Sequence, residues 1–239
     1  FEPEAWSLRW YRQMVGISSI GDTTVVTNKW MLGTRNSFFI GICATFLATA
    51  LGTVAALGLS RPNMPFKGTI MAILISPMIV PLIITSAGMF FFYSKVGLTH
   101  TYLGLILAHT ALGTPFVVIT VTATLTGFDT NLIRASQSLG ADTLRTFFKV
   151  IMPLILPGVI SGALFAFITS FDEVVVVMFV GSVEQITIPK QMWAGLRQET
   201  SPVILCMATC LVFLSIALLT TVELLRRRSE RLRGIKLQN

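Results

Sequence analysis

Long apolar segments alternate with short polar ones along most of the chain. A spanning helix needs about 20 apolar residues, because the hydrocarbon core is about 30 Å thick and each residue adds about 1.5 Å. Segments of that length are found at residues 37–59, 68–93, 102–125, 157–180 and 203–225. The pattern therefore predicts an all-α integral membrane protein with five spanning helices.

Two of these segments also predict how their helices are built. Pro77 and Pro81 interrupt the second segment and should kink it or unwind it locally. A broken helix lines the path in some transporters and is a simple bend in most membrane proteins, so both interpretations remain open. Small residues recur in the first segment at three- to four-residue spacing, which permits close helix packing in lipid. They are Gly41, Ala44, Ala48, Gly52 and Ala55.

The loop between the third and fourth segments, residues 126–156, is polar and amphipathic. Asp129 or Thr130 can cap a first short helix, predicted over residues 131–139. Gly140 is placed to end that helix.

The second half of the loop predicts another short helix, capped by Asp142. Apolar residues at positions i, i+3, i+4 and i+7 form one stripe on it. They are Leu144, Phe147, Phe148 and Ile151. The stripe either packs beneath the protein's own helices or contacts another polypeptide.

Together the two helices predict a compact knob parallel to the membrane, whose corner of small side chains fits a groove on another protein. The corner residues are Ser136, Leu139, Gly140 and Ala141.

Composition and charge agree with a membrane protein and indicate its orientation. The chain of 239 residues is 53% hydrophobic and 12% charged, whereas soluble domains carry about 25% charged residues. Basic residues are enriched in cytoplasmic connections. A cytoplasmic C-terminus places eleven Lys and Arg residues inside and seven outside. The arginines that open the tail at residues 226–239 directly follow an apolar segment, which indicates a membrane flank and not a nucleic-acid-binding arm.

With five spans and a cytoplasmic C-terminus, residues 1–36 are predicted to lie outside the membrane. An external segment needs a preceding element to export it. We therefore expect that a first membrane helix precedes Phe1 in the whole protein.

Asp172 and Glu173 are the candidate residues for contact with a transported solute. They follow Pro157 by about 22 Å of helix, well inside the bilayer. Carboxylates there are costly and usually face a partner or a water-filled cavity. Either one of the pair meets a cationic solute or the pair links to a neighbouring helix or subunit. Neighbouring residues on a helix point about 100° apart, so the two should not face the same way.

The 126–157 stretch resembles the "EAA" loop of permease subunits of binding-protein-dependent ABC importers. Ala135, Gly140 and Pro153 match that motif, with the proline thirteen residues after the glycine. The chain departs from the motif at Arg134 in place of glutamate, Ser136 in place of the second alanine and Met152 in place of leucine. Without the glutamate, a salt bridge from this position to the ATPase is not expected, whereas the helical knob is retained.

The resemblance extends over most of the chain. Six segments resemble the second permease subunit of spermidine/putrescine-type uptake systems. They are WYRQM, NSFFIGICATFLATALGTVAAL, SPMIVPLIITSAGMFFFY, HTALGTPFVVITVTATL, PGVISGALFAFITSFDEVVVVMFV and TIPKQMW. That family also has a helix before the WY segment, in agreement with the expected first helix.

The resemblance implies a type I ABC importer transmembrane domain in a bacterial inner membrane. Its implied partners are a second permease subunit in a heterodimer, cytoplasmic ATPase subunits that bind ATP and Mg, and a periplasmic or extracellular substrate-binding protein. The implied solute is small and amine-containing, like a polyamine. The residues implied to contact the ATPase are Arg134, Ala135, Ser136, Leu139, Gly140, Ala141 and Pro153.

The sequence contains no motif for ATP hydrolysis or for metal binding. A phosphate-binding loop with Gly-Lys-Ser/Thr and metal-ligand spacings are both missing from the sequence. We therefore predict no ATPase site, metal or cofactor in this chain. The alternative function is a stand-alone secondary transporter or channel, for which internal repeats would be expected.

Overall fold

The computed structural model describes residues 8–16, 29–61, 63–126, 129, 131–198 and 201–232. Helices account for most of these residues, and the described ranges contain no strand. The predicted all-α fold class is confirmed.

The described residues form helices in the following order along the chain. They are α1 (Arg9–Met14), α2 (Lys29–Leu59), α3 (Lys67–Ile79), α4 (Leu82–Val96), α5 (Tyr102–Thr126), α6 (Asn131–Ser138), α7 (Thr143–Thr146), a π-helical turn (Phe147–Ile151), α8 (Met152–Phe171), α9 (Val175–Val180), α10 (Ile188–Gln198) and α11 (Pro202–Leu232).

Three described helices are long and apolar enough to cross a membrane: α2, α5 and the continuous stretch Thr143–Phe171. The pair α3 and α4 passes the same test only when the two are taken together. In α11, the part whose side chains the structure describes includes the apolar stretch Pro202–Ala217, which is shorter than a full crossing. The fifth span at residues 203–225 therefore stays a prediction.

The second predicted span is broken at Pro81, and the prediction of a break is confirmed. The axes of α3 and α4 differ by 103°. Val80 has an extended backbone, as expected for a residue before proline. Pro81 directly precedes α4, where its missing N–H costs no helical hydrogen bond. Pro77 lies inside α3 and does not divide it.

The fourth predicted span, residues 157–180, was wrong as a single helix. α8 begins earlier, at Met152, and ends at Phe171, and α9 begins only at Val175. At the break, the Glu173 carboxylate accepts a hydrogen bond from the Val176 N–H at 2.8 Å. Side chains that bond the local backbone in this way compete with helix continuation, which explains the interruption.

Close helix packing organises the compact unit formed by residues 37–185. A Cβ added at Gly52 of α2 would lie 2.6 Å from the Val117 Cβ of α5. One added at Gly113 of α5 would lie 3.0 Å from the Ala166 Cβ of α8. Ala44 and Ala48, from the predicted small-residue stripe, are fully buried. The predicted packing role of the stripe is thus confirmed.

The described parts of residues 1–36 and 186–239 form the other unit. The buried Asn36 side chain donates to the Ile186 carbonyl at 2.9 Å. In α10, a Cβ added at Gly195 would lie 2.8 Å from the Ile204 Cδ1 of α11. Side-chain bonds and close backbone approach therefore join α2, α10 and α11 in this unit.

Candidate coupling corner and acidic turn

The first helix of the 126–156 loop ends in a defined backbone motif. α6 stops at Ser138, and Gly140 has a φ of +82°, a conformation that favours glycine. The Gly140 N–H donates to the Gln137 carbonyl at 2.9 Å, and the Ala141 N–H donates to the Ser136 carbonyl at 3.1 Å. These two bonds are a Schellman motif, which satisfies the last carbonyls of a helix. The predicted helix stop at Gly140 is confirmed.

The start of α6 also carries a side-chain contact. The Asp129 Oδ1 accepts from the Asn131 N–H at 2.9 Å. Thr130, the other predicted cap, lies outside the described residues.

The helix after the glycine begins as predicted and is bonded to α6. Asp142 is its N-cap, because the Oδ1 atom accepts from the Arg145 N–H at 2.7 Å. The Ser136 and Thr146 hydroxyl oxygens are 3.0 Å apart and hydrogen-bonded. Thr146 is buried. We call residues 136–146 the coupling corner, a segment tied together by the Schellman motif, the cap and this hydroxyl pair.

The prediction of a second short helix, separate from the fourth span, was wrong. α7 continues through the π-helical turn into α8, so that one helix extends from Thr143 to Phe171. The wider turn comes just before Pro153, whose ring would clash with the Lys149 carbonyl in a regular α-helix. The coupling corner is therefore attached to a spanning helix without an intervening loop.

Most of the residues predicted to contact an ATPase are on the surface of this unit. Leu139 is 89% exposed, a high value for an apolar side chain. Pro153 is also exposed but belongs to α8, at some distance in sequence from the corner. Three further residues of this set are exposed: Arg134, Ala135 and Gly140. The other two, Ser136 and Ala141, are half-buried.

The apolar stripe of the loop divides between two environments. Ile151 packs against the buried cluster that contains Ile155. Leu144 and Phe148 are 69% and 62% exposed. Both interpretations of the stripe are thus partly met, since one end packs beneath the protein's own helices and the other is available to another polypeptide.

The structure separates the two carboxylates of the acidic turn, residues 172–174. Asp172 follows the last residue of α8 and is exposed. Glu173 is 6% exposed and bonds the first turn of α9 through the Val176 N–H. The expectation that the pair faces different directions is confirmed. Asp172 is thus the exposed member of the pair, and Glu173 bonds the backbone of the turn.

A buried polar pair next to the acidic turn joins α5 to α8. His109 Nδ1 and Ser170 Oγ are 2.7 Å apart, and both residues are buried. This contact fixes the residues just before Asp172 relative to α5. Ser170 has no pattern that singles it out in the sequence, because its role depends on the neighbouring helix.

Three aromatic rings surround the end of α8 and were likewise missed in the sequence. Phe171 stacks on Phe167 with ring centroids 5.3 Å apart and meets Phe38 of α2 edge-to-face at 5.2 Å. All three rings are half-buried. Phe171 directly precedes the exposed Asp172, so this cluster of rings lies at the end of α8 where the acidic turn begins.

Comparison with known proteins gives a family for this fold and loop. The profile of the family described as "Binding-protein-dependent transport system inner membrane component" matches residues 17–232. The chain belongs to this family. It is accordingly a multi-pass protein of the inner membrane and a component of a binding-protein-dependent transport system.

The curated relatives are permease proteins. The chain is 28% identical to the spermidine/putrescine transport system permease protein PotC of Haemophilus influenzae, over 95% of this chain and 84% of the relative. It is 25% identical to PotC of Escherichia coli strain K12, over 94% and 81% of the two chains. It is 29% identical to the putrescine transport system permease protein PotI of that strain, over 87% and 73%.

Solved structures share the fold of this chain. Inward-facing conformations of the methionine ABC transporter MetNI match with a TM-score of 0.62 and 23% identity, covering 85% of this chain and 94% of that one. A bacterial ABC transporter that imports the acidic polysaccharide alginate matches with a TM-score of 0.65 and 15% identity, covering 89% and 78%. The predicted type I importer fold is confirmed.

Proposed function

We propose that this chain forms half of the translocation path of an ATP-driven importer for polyamine-like solutes. A separate ATPase subunit binds the coupling corner from the cytoplasm, and its movement displaces α8. ATP and Mg are bound by that ATPase, a second permease completes the path, and a binding protein delivers the solute from outside. In this arrangement the C-terminus is cytoplasmic.

The observation that best supports this proposal is the structure of the coupling corner. Its Schellman motif and the Ser136–Thr146 bond hold it rigid, while Leu139 is exposed at its tip. Because the corner continues into α8 without a loop, a displacement there moves the whole helix as a lever. Switching transitions of this kind amplify small local contacts into rigid-body motion. The other end of the lever is at Phe171, next to the acidic turn.

The solute class is supported by the chemistry at that far end. Asp172 is exposed and carries a negative charge suited to an ammonium group. The preceding residue, Phe171, forms a cluster of rings with Phe38 and Phe167, and aromatic faces attract organic cations. The relatives PotC and PotI are permeases of spermidine and putrescine systems.

Assembly with an ATPase tests the transport proposal. We expect the full chain to co-purify with an ATPase subunit and a second permease. In vesicles, ATP hydrolysis should rise when a substrate-binding protein loaded with polyamine is added. Solute flux through the purified chain alone, without any ATPase, would instead identify a secondary transporter or channel.

The acidic turn provides a matched pair of substitutions. Asp172→Asn should raise the KM for polyamine uptake about tenfold or more, since a hydrogen bond to a charged group is worth about 1.5–3 kcal/mol. Glu173→Gln keeps an oxygen acceptor for the Val176 N–H, so its KM should stay close to the parent value. The measurement is radiolabelled uptake at matched expression. Unchanged KM and rate in both variants would remove substrate contact from the proposal.

A further inference from the structure

A cavity of about 500 Å³ lies between the coupling corner and the adjacent ends of α2 and α5. All of its lining belongs to the compact unit of residues 37–185. Most of that lining is apolar, and it includes three members of the loop stripe. The residues that matter here are Leu57, Arg61, Leu125, Leu144, Phe147 and Ile151.

The cavity is partly open to the surface, so it is a pocket and not an enclosed packing void. Ligand-binding pockets, by comparison, range over about 300–1,000 Å³. The exposed end of the loop stripe therefore borders a space of ligand size.

Charge at the cavity has one sign. Arg61, just beyond the end of α2, is exposed and forms no ion pair within the described ranges. The lining residues that the structure describes include no Asp or Glu. Arg61 follows the apolar helix α2, which ends at Leu59, and basic residues at the end of a membrane helix commonly lie at the interface. An occupant suited to this space has an apolar body and an anionic head.

We propose that the cavity binds an anionic phospholipid of the inner leaflet, with one acyl chain among the apolar residues and its phosphate at Arg61. The choice of leaflet rests on the proposed function, which places the coupling corner in the cytoplasm. Basic pockets between membrane helices on the cytoplasmic side are typical sites for anionic lipid headgroups. A bound chain would cover Leu144 and Phe147 and support the corner from below. The lipid would thereby set how firmly the corner transmits force to α8.

Photo-crosslinking of the full chain in lipid nanodiscs tests this site. The probe is phosphatidylglycerol with a photoreactive group on one acyl chain, present as a minor fraction in phosphatidylcholine. We expect mass spectrometry to find labelled residues around the cavity, at Leu57, Leu144 or Phe147. The same photoreactive chain on phosphatidylcholine should label the cavity only weakly. At Phe46, on the exposed apolar face of α2, the two lipids should label the protein to the same extent.

Two variants and a control make the test decisive. Arg61→Gln should reduce cavity labelling by phosphatidylglycerol about tenfold, because charged hydrogen bonds are worth about that factor. Leu57→Trp should reduce it by filling the cavity. Lys67→Gln removes an exposed cation at the start of α3, outside the cavity lining, and should leave labelling unchanged.

Several results would overturn the proposal. These are equal labelling by the two lipids, full labelling in the Arg61→Gln variant, or labelling that disappears when the ATPase subunit binds because its side chains enter the cavity. The labelling requires no ATP hydrolysis, whereas the transport proposal is judged by ATPase stimulation in vesicles. Failure of one proposal is therefore distinguishable from failure of the other.

Discussion

Gly140→Ala is expected to lower binding-protein-stimulated ATP hydrolysis by the assembled transporter at least about fivefold. The glycine has a φ of +82°, where an added Cβ meets no neighbour but strains the backbone. An L-residue in this conformation costs about 1–2 kcal/mol, which changes a two-state population by about 5–30-fold. The corner would relax, and both bonds of the Schellman motif would weaken. The readout is stimulated ATPase activity together with transport.

A second glycine supplies the control for backbone strain. Gly97 has a φ of +72° and also has nothing within 4 Å of an added Cβ. It ends α4 and lies outside the coupling corner. Gly97→Ala should therefore cost similar stability and retain stimulated ATPase activity. Equal loss of activity in both variants would show that strain alone matters and that the corner has no special role.

Gly162→Ala is expected to destabilise the contact between α5 and α8, on which the lever depends. An added Cβ would lie 2.5 Å from the Thr120 hydroxyl oxygen and 2.8 Å from the Val117 Cα. A backbone atom cannot rotate away as a side chain can, so the helices must separate. Overpacking of this kind costs about 1–3 kcal/mol. The midpoint temperature of thermal unfolding, measured in nanodiscs, should then fall by about 2–12 °C.

The matched control is a glycine of α2 with open space around it. An added Cβ at Gly58 meets no atom within 4 Å. Because alanine favours helix over glycine by about 1 kcal/mol, Gly58→Ala should unfold at the parent temperature or slightly above it. A Gly162→Ala variant as stable as Gly58→Ala would mean that α5 and α8 are not packed as closely as described.

Features with local causes could be predicted from the sequence. The stop of α6 at Gly140 and the cap at Asp142 depend on residues within one turn. The break at Pro81 follows from the missing N–H of proline and from its effect on Val80. The length and apolarity of α2 and α5 were predicted from the thickness of the hydrocarbon core.

Two errors came from competition between local and longer patterns. The apolar pattern of residues 157–180 predicts one helix, yet the Glu173 side chain bonds the backbone and divides it. Pro153 predicts a loop helix separate from the span, because proline often marks a helix start. Here a π-helical turn accommodates that proline, and the helix continues.

The amino-acid sequence is therefore enough to predict a bundle of membrane helices, the position at which the coupling corner turns and the residue types that meet there. These properties follow from side-chain solubility and from hydrogen bonds between near neighbours. The packed helices, by contrast, are needed to show that Asp172 is exposed while Glu173 is buried, that His109 bonds Ser170 and that a cavity lies beside the loop stripe. Each of these depends on how closely helices distant in sequence approach, and that distance is set by packing across the whole unit.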